Sequence, residues 1–182
     1  MSIDVTTWPK LAATYKDLQF LADLINGNDS NNVQMDASVF QAATHSIQSR
    51  LLELQDMVGS GIAECLRLGM LAVLTTTFRL PRRKMPHAYL ASKLRIAFQD
   101  ASLIRPESRD ILFWVLMMSV IAVFDVGEPW IPIVWNVIAN KGSWYETKQG
   151  FQRLIWITCI HDEVGQNTFM QLQRARASPR LL

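Results

Sequence analysis

The stretch Arg105–Asp125, RPESRDILFWVLMMSVIAVFD, decides the fold. From Ile111 to Phe124 the chain is apolar except for Ser119. That run is about 14 residues long, short of the roughly 20 a bilayer requires. Asp110 and Asp125 close its ends, and Arg105, Glu107 and Arg109 precede it, so a longer span would carry charge into hydrocarbon at a few kcal/mol each. A helix apolar on every side belongs instead at the centre of a helical domain, covered all round by neighbours.

Composition agrees with a globular chain. Its 182 residues can bury about 70% of their unfolded surface in one core. Apolar residues make up 49% and charged residues 19%, and 18 basic against 16 acidic side chains leave a net charge of only +2. That balance is no nucleic-acid footprint. Two cysteines, Cys65 and Cys159, lie far apart in apolar surroundings, which argues against a disulfide framework and for a reducing compartment. The opening MSIDVTTWPKLAATYKD lacks a basic start followed by an apolar block, so no secretory signal is expected.

Working outward toward the N-terminus, Trp8, Leu11, Tyr15, Leu18, Leu21 and Ile25 recur at helical spacing, and Gly27 is placed to end that helix. The polar NGNDSNNVQMD reads as a loop. Phe40, Ala43, Ile47, Leu51, Leu54 and Val58 then form a seam along one long helix, too short for a coiled coil. GSGIAECLRLGMLAVLTTTFRLP breaks at Gly59 and Gly61, supplies a second buried helix, and stops at Pro81. The loop RLPRRKMP concentrates Arg79, Arg82, Arg83 and Lys84, a candidate basic patch that reads either as a phosphate-contacting or nuclear-import element or as a solvated turn.

Toward the C-terminus, Leu90, Leu94, Ala97, Phe98 and Ala101 mark an amphipathic helix before the central run. EPWIPIVWNVIANKG tolerates Pro132 because it falls in a first helical turn. Ser143 and Glu146 have capping-box spacing ahead of a helix on which Trp144, Phe151, Leu154, Ile155 and Thr158 share a face. Asp162 is positioned to cap a last helix with Phe169 and Leu172 inward. No stretch sustains period-two alternation, so the expectation is an all-α single domain of seven or eight helices with the apolar helix at 111–124 in its middle.

Catalytic chemistry finds little footing. His161, Asp162 and Glu163 are adjacent, and side chains at i, i+1 and i+2 diverge on a helix. Cys65 and Cys159 sit in apolar helices expected to keep them inert. His45 and His87 have no visible partner, and there is no glycine-rich phosphate loop. The reading is no catalytic residue, no metal and no cofactor. Trp114, Met117, Met118, Trp130 and Trp135 form a candidate apolar pocket for a small-molecule effector, with core packing as the plainer account.

The order of segments carries a resemblance. AECLRLGMLAVLTTTFRLP, LASKLRIAFQDA, SRDILFWVLMMSVIAV, EPWIPIVWNVIA and WYETKQGFQRLIWITCIHDEVG, over residues 60–172, resemble the C-terminal half of the fungal-specific transcription factor domain, the effector region of fungal zinc-cluster regulators. The LFWVLMMS helix and the ending in HDEVG, where that family shows an acidic-glycine turn, are its most specific pieces. The chain is expected to divide into an N-terminal helix (1–26), a polar loop (27–37), a helical domain that the resemblance makes regulatory (38–175) and a basic tail (176–182). It implies a nuclear protein, shared with the cytoplasm or not, that regulates transcription of a biosynthetic gene cluster. The family's six-cysteine zinc module is missing from this sequence, so direct DNA binding is expected to be weak or nil. DNA would then be read by a protein partner, or the chain would act as a dimer, with the Phe40 to Val58 seam as the expected contact. The competing readings are a helical small-molecule binder or recruited enzyme on the same scaffold, and a fragment of a longer regulator.

Overall fold

The computed structural model describes residues 8–30, 36–58, 61–77, 87–99, 105–139 and 142–177, without the side chains of 28–30, 176 and 177. Every regular element among them is helical. In chain order these are α1 (Pro9–Ser30), α2 (Ala37–Glu53), α3 (Gln55–Val58), α4 (Ile62–Thr77), α5 (Ala88–Gln99), a 3-10 turn (Pro106–Ser108), α6 (Arg109–Ala122), α7 (Trp130–Ile138), α8 (Trp144–Gln152) and α9 (Thr158–Ala177). Among the described residues no helix is long and apolar enough to cross a membrane.

Helix α6 is the apolar run, and every residue from Ile111 to Ala122 is buried. Ser119, the polar interruption of the run, is satisfied within the helix, where its hydroxyl donates to the Val115 carbonyl at 2.6 Å. Helix α4 packs along α6, α7 and α9 cover it elsewhere, and α5 lies on α4. Helices α1 and α2 pair with each other and lie against α4. Gly69 of α4 is pressed against α6, where a methyl group would stand 2.6 Å from Trp114 Cζ3 and 2.9 Å from Val115 Cγ2. Glycine is required there by space; Gly61, which opens α4 at φ 98°, is required by backbone conformation.

Several boundaries differ from the sequence expectation. Helix α1 continues through Gly27 to Ser30. A helical glycine costs about 1 kcal/mol, and Asn26 just before it is held by the far end of the chain. The seam helix is broken: α2 ends at Glu53, Leu54 caps it, and α3 adds one further turn. Ile47, Leu51, Leu54 and Val58 face the core, so this seam is not an exposed contact surface. The Ser143–Glu146 capping box forms as its spacing indicates, with Glu146 Oε2 accepting from the Ser143 amide at 2.8 Å.

Helix α8 stops at Gln152, and Leu154 and Ile155 are not on it. Residues 153–157 cross the interior as irregular backbone, with Leu154, Ile155, Trp156 and Ile157 all buried. A buried crossing must have its peptide groups satisfied. Gln19 donates to the Leu154 carbonyl at 3.1 Å, Trp114 Nε1 donates to that of Ile155 at 2.8 Å, and Asn26 donates to that of Trp156 at 2.8 Å. The Asn26 amide oxygen accepts from the Thr158 amide at 2.8 Å, and His161 Nδ1 accepts from the Ile157 amide at 3.0 Å. Helix α9 therefore begins at Thr158, and Asp162 lies a turn inside it and does not cap it. HDEVG is helical, with Gly165 pressed on two indoles, Trp156 Cη2 and Trp144 Cη2 standing 2.7 and 2.9 Å from where a methyl group would be.

Candidate functional site

The candidate residues divide sharply in their placement. Arg79, Arg82, Arg83 and Lys84 lie outside the described residues. Trp114, Met117, Met118 and Trp135 are buried in the closed core around α6. Trp135 is locked edge-on between Phe113, at a 5.2 Å ring separation, and Phe169, at 5.5 Å. Trp130, by contrast, borders a cleft.

That cleft lies between α5 and α7 and is lined by Arg95, Phe98, Gln99, Trp130 and Val134. Trp130 is held from three sides. Phe124 meets it edge-on at 5.0 Å, Phe98 packs at 5.6 Å, and its Nε1 donates to Glu128 Oε2 at 2.8 Å. The same carboxylate oxygen receives Arg95 Nη2 at 2.7 Å, and the Arg95 guanidinium lies 5.4 Å from the Phe124 ring centroid. One carboxylate thus fixes both a wall and a rim of the cleft. The volume is about 100 Å³, well below the 300 Å³ or more of a drug-sized site. It suits one apolar side chain.

Apolar surface continues on both sides of the cleft. On α7, Ile131, Trp135 and Ile138 point inward, while Ile133 and Val137, one turn apart, are 66% and 48% exposed. Ile96 of α5, next in sequence to the cleft-lining Arg95, is 59% exposed. The nine residues of α7, WIPIVWNVI, contain no charge.

Two of the groups that suggested chemistry, His161 and Asp162, join helices. His161 is completely buried, and its two nitrogens do different work. Nδ1 accepts from the Ile157 amide, which leaves the proton of the neutral ring on Nε2, 2.7 Å from the Thr76 hydroxyl of α4. That hydroxyl donates in turn to the Val73 carbonyl at 2.6 Å. Burial pushes the imidazole pKa down to about 3, with Asp162 opposing weakly, so the ring stays neutral. Asp162 accepts from Trp156 Nε1 at 2.7 Å and pairs with Lys148 of α8, whereas Glu163 is exposed. Among the described residues no cluster of three His, Cys, Asp or Glu could hold a metal. Cys65 is buried as expected, but Cys159 is exposed, because it sits on the outer side of the first turn of α9.

Two features escaped the sequence reading. Arg67 is wholly buried in α4, with Nε and Nη2 donating to the two Glu64 oxygens at 2.6 and 2.7 Å and Nη1 donating to the Leu51 carbonyl at 2.9 Å. The spacing of Glu64 and Arg67, three apart in an apolar helix, was the available signal. The pairing of Arg95 with Glu128 had none, since it joins α5 to the turn before α7, residues 33 apart in sequence. Comparisons with protein-family models, curated proteins and solved structures give no match to this chain.

Proposed function

We propose that this chain is a non-enzymatic transcription regulator, nuclear or shared with the cytoplasm, that works through protein contacts while a partner protein reads the DNA. The series of segments that resembles the fungal-specific transcription factor domain supports the transcriptional part of this reading, and with it control of a biosynthetic gene cluster. The observation that carries the contact part is the α5/α7 face. Its cleft has room for a side chain, its rim is rigidly held by Glu128, and the exposed Ile133 and Val137 stand beside it. Protein interfaces concentrate their energy in such features, an apolar anchor entering a preformed notch. Polar and ionic side chains elsewhere in the interior, His161, Thr76, Arg67 and Glu64, are engaged in holding the helices together.

The test is a reporter assay with the chain fused to an unrelated DNA-binding domain. The fusion should activate or repress the reporter, and Ile133→Asp should abolish the effect while leaving the circular dichroism spectrum unchanged. The unfused chain should bind DNA weakly, without sequence preference and with steep salt dependence. A silent fusion, together with unchanged transcript levels when the native chain is deleted, would refute the regulatory reading.

A further inference from the structure

We infer that Tyr89, at the start of α5, is a phosphorylation site, and that its phosphate takes the buried guanidinium of Arg67 over from Glu64. The inference is independent of the transcriptional reading, because it stands on the junction of α3, α4 and α5 and not on the cleft.

Three side chains from three helices meet the phenol. Tyr89 is 46% exposed, and its hydroxyl donates to Gln55 Oε1 of α3. The phenol oxygen also interacts with the Arg67 guanidinium of α4. Lys93, one turn along α5, holds Nζ 5.8 Å from the ring centroid. The ring is therefore reachable from solvent while its oxygen lies beside one cation and near a second. Arg67 already donates to both Glu64 oxygens and to the Leu51 carbonyl. A guanidinium presents five N–H donors, in a fork that fits a phosphate as well as it fits a carboxylate.

The other two tyrosines offer less. Tyr15 is half-buried, and burial together with Asp23 pushes its phenol up to about 12, an environment hostile to added negative charge. Tyr145 is 69% exposed on α8, but Lys148 of that helix is engaged by Asp162. Only at Tyr89 does exposure coincide with a buried cation that would hold the product.

The transfer takes its phosphoryl group from a nucleoside triphosphate brought by a protein kinase. The phenol oxygen attacks the γ-phosphorus and its proton passes to the kinase's carboxylate base. The bond to the β-phosphate oxygen breaks, and the nucleoside diphosphate leaves. Tyr89 is the second residue of α5, in the turn whose amides lack intrahelical partners, so this segment can open to the enzyme while the rest of the helix holds.

The ester has lost the hydroxyl proton, so Gln55 loses its donor and the α3–α5 bond breaks. In its place stand about −1.5 to −2 charges and three acceptor oxygens. Two anions then compete for one guanidinium. The Glu64 side chain is 14% exposed and can turn to water, whereas that of Arg67 is at 0% and cannot. The more highly charged phosphate, anchored beside Arg67 and Lys93, displaces the carboxylate. A neutral α3–α5 bond becomes an α4–α5 ion pair, on the helix that also carries Arg95 and Phe98 of the cleft.

The first test treats the folded full chain with a broad-specificity tyrosine kinase and ATP and locates the phosphate by tandem mass spectrometry. Tyr89 should be modified, and Tyr89→Phe should lose most of the incorporated phosphate. The second compares urea midpoints of chains carrying phosphotyrosine at position 89, introduced during translation, with and without Glu64→Gln. That substitution should lower the midpoint of the unmodified chain and leave unchanged or raise that of the phosphorylated one. With phosphotyrosine at position 145 instead, its penalty should persist. Should Glu64→Gln fail to fold, a phosphorus NMR titration of the two phosphorylated parent chains decides: the second ionisation, about 6 when free, should fall lower at position 89 than at position 145. A folded chain that the kinase leaves unmodified at Tyr89, an equal Glu64→Gln penalty with and without the phosphate, or equal ionisations at the two positions overturns the inference.

Discussion

Gly69 of α4 lies directly against the indole of Trp114 on α6, so close that a methyl group on Gly69 would stand 2.6 Å from Cζ3. The ring cannot give way easily, because its Nε1 is anchored to the Ile155 carbonyl at 2.8 Å and the side chain is fully buried. Gly69→Ala would gain about 1 kcal/mol of helix propensity, but overpacking a core of this density typically costs more, about 1–3 kcal/mol with occasional larger values. The net expectation is a lower melting temperature. Gly150, in the last turn of α8 with nothing within 4 Å of the added methyl group, should respond with the opposite sign and be stabilised by up to about 1 kcal/mol. Thermal melts of the two alanine variants check both at once, and equal shifts would mean that the α4–α6 approach is looser than described.

Arg67 and Glu64 supply a second test. Removing one partner of a buried ion pair leaves the other uncompensated, at a cost of about 3–5 kcal/mol. Glu64 keeps some access to solvent, so the larger loss is expected when it is Glu64 that is removed and the wholly buried Arg67 that remains. Arg67→Met should be destabilised less than Glu64→Gln, and the double variant should recover part of the difference, although the Leu51 carbonyl loses its donor. Urea unfolding of the two single variants and the double variant gives the coupling energy directly. Additive effects would show that the pair contributes nothing jointly.

Asn26 is a third point of leverage. Its amide group donates to the Trp156 carbonyl and accepts from the Thr158 amide, so it closes both ends of the buried crossing in one step. Asn26→Asp keeps the acceptor and loses the donor, and Asn26→Ala loses both. The expected order of stability is parent, then Asp, then Ala, with about 1–3 kcal/mol for each unpaired buried group. Hydrogen exchange at the Thr158 amide should accelerate in the alanine variant; unchanged exchange there would deny Asn26 the role of a staple.

That staple also marks where sequence reading reaches its limit. The central helix was legible because a run without charge, too short for a bilayer, has one stable location. The capping box at Ser143 and Glu146 was legible because both partners lie within one turn. The crossing at 153–157 was not, since Leu154 and Ile155 fit a helical period as well as they fit a buried loop. The choice was made by Gln19 and Asn26, more than 100 residues away. The tryptophans and methionines could suggest a pocket but not its location, because only packing distinguishes Trp130 at a cleft from Trp114 in a closed core. Ile133 and Val137 lie exposed on a helix without a charged residue, so composition alone did not mark its outer face.

The last prediction concerns acid. His161 is buried against Thr76 of α4, the Ile157 amide and the Trp156 ring at 5.0 Å, and the nearest charged group, Asp162, is already engaged by Lys148 and Trp156 Nε1. Its pKa in the folded chain is pushed down to about 3, whereas in the unfolded chain a histidine titrates near 6.5. As pH falls below about 6.5 the unfolded state therefore binds a proton that the folded state refuses. Stability must drop progressively toward pH 3, by up to about 1.4 kcal/mol per pH unit. Asp36 and Glu146, whose carboxyl groups are lowered by hydrogen bonds from Ser38 and Ser143 respectively, would add acid sensitivity only below their ordinary range near 4. The interval from pH 7 to pH 5 consequently isolates His161 from them. Urea midpoints should fall across that interval in the parent chain. His161→Asn should be less stable at pH 7, by about 1–3 kcal/mol for the lost hydrogen bonds, yet nearly indifferent to pH over the same interval. A parent chain with equal midpoints at pH 7 and pH 5 would show that His161 accepts its proton in place, and that the α4–α9 contact is open to water.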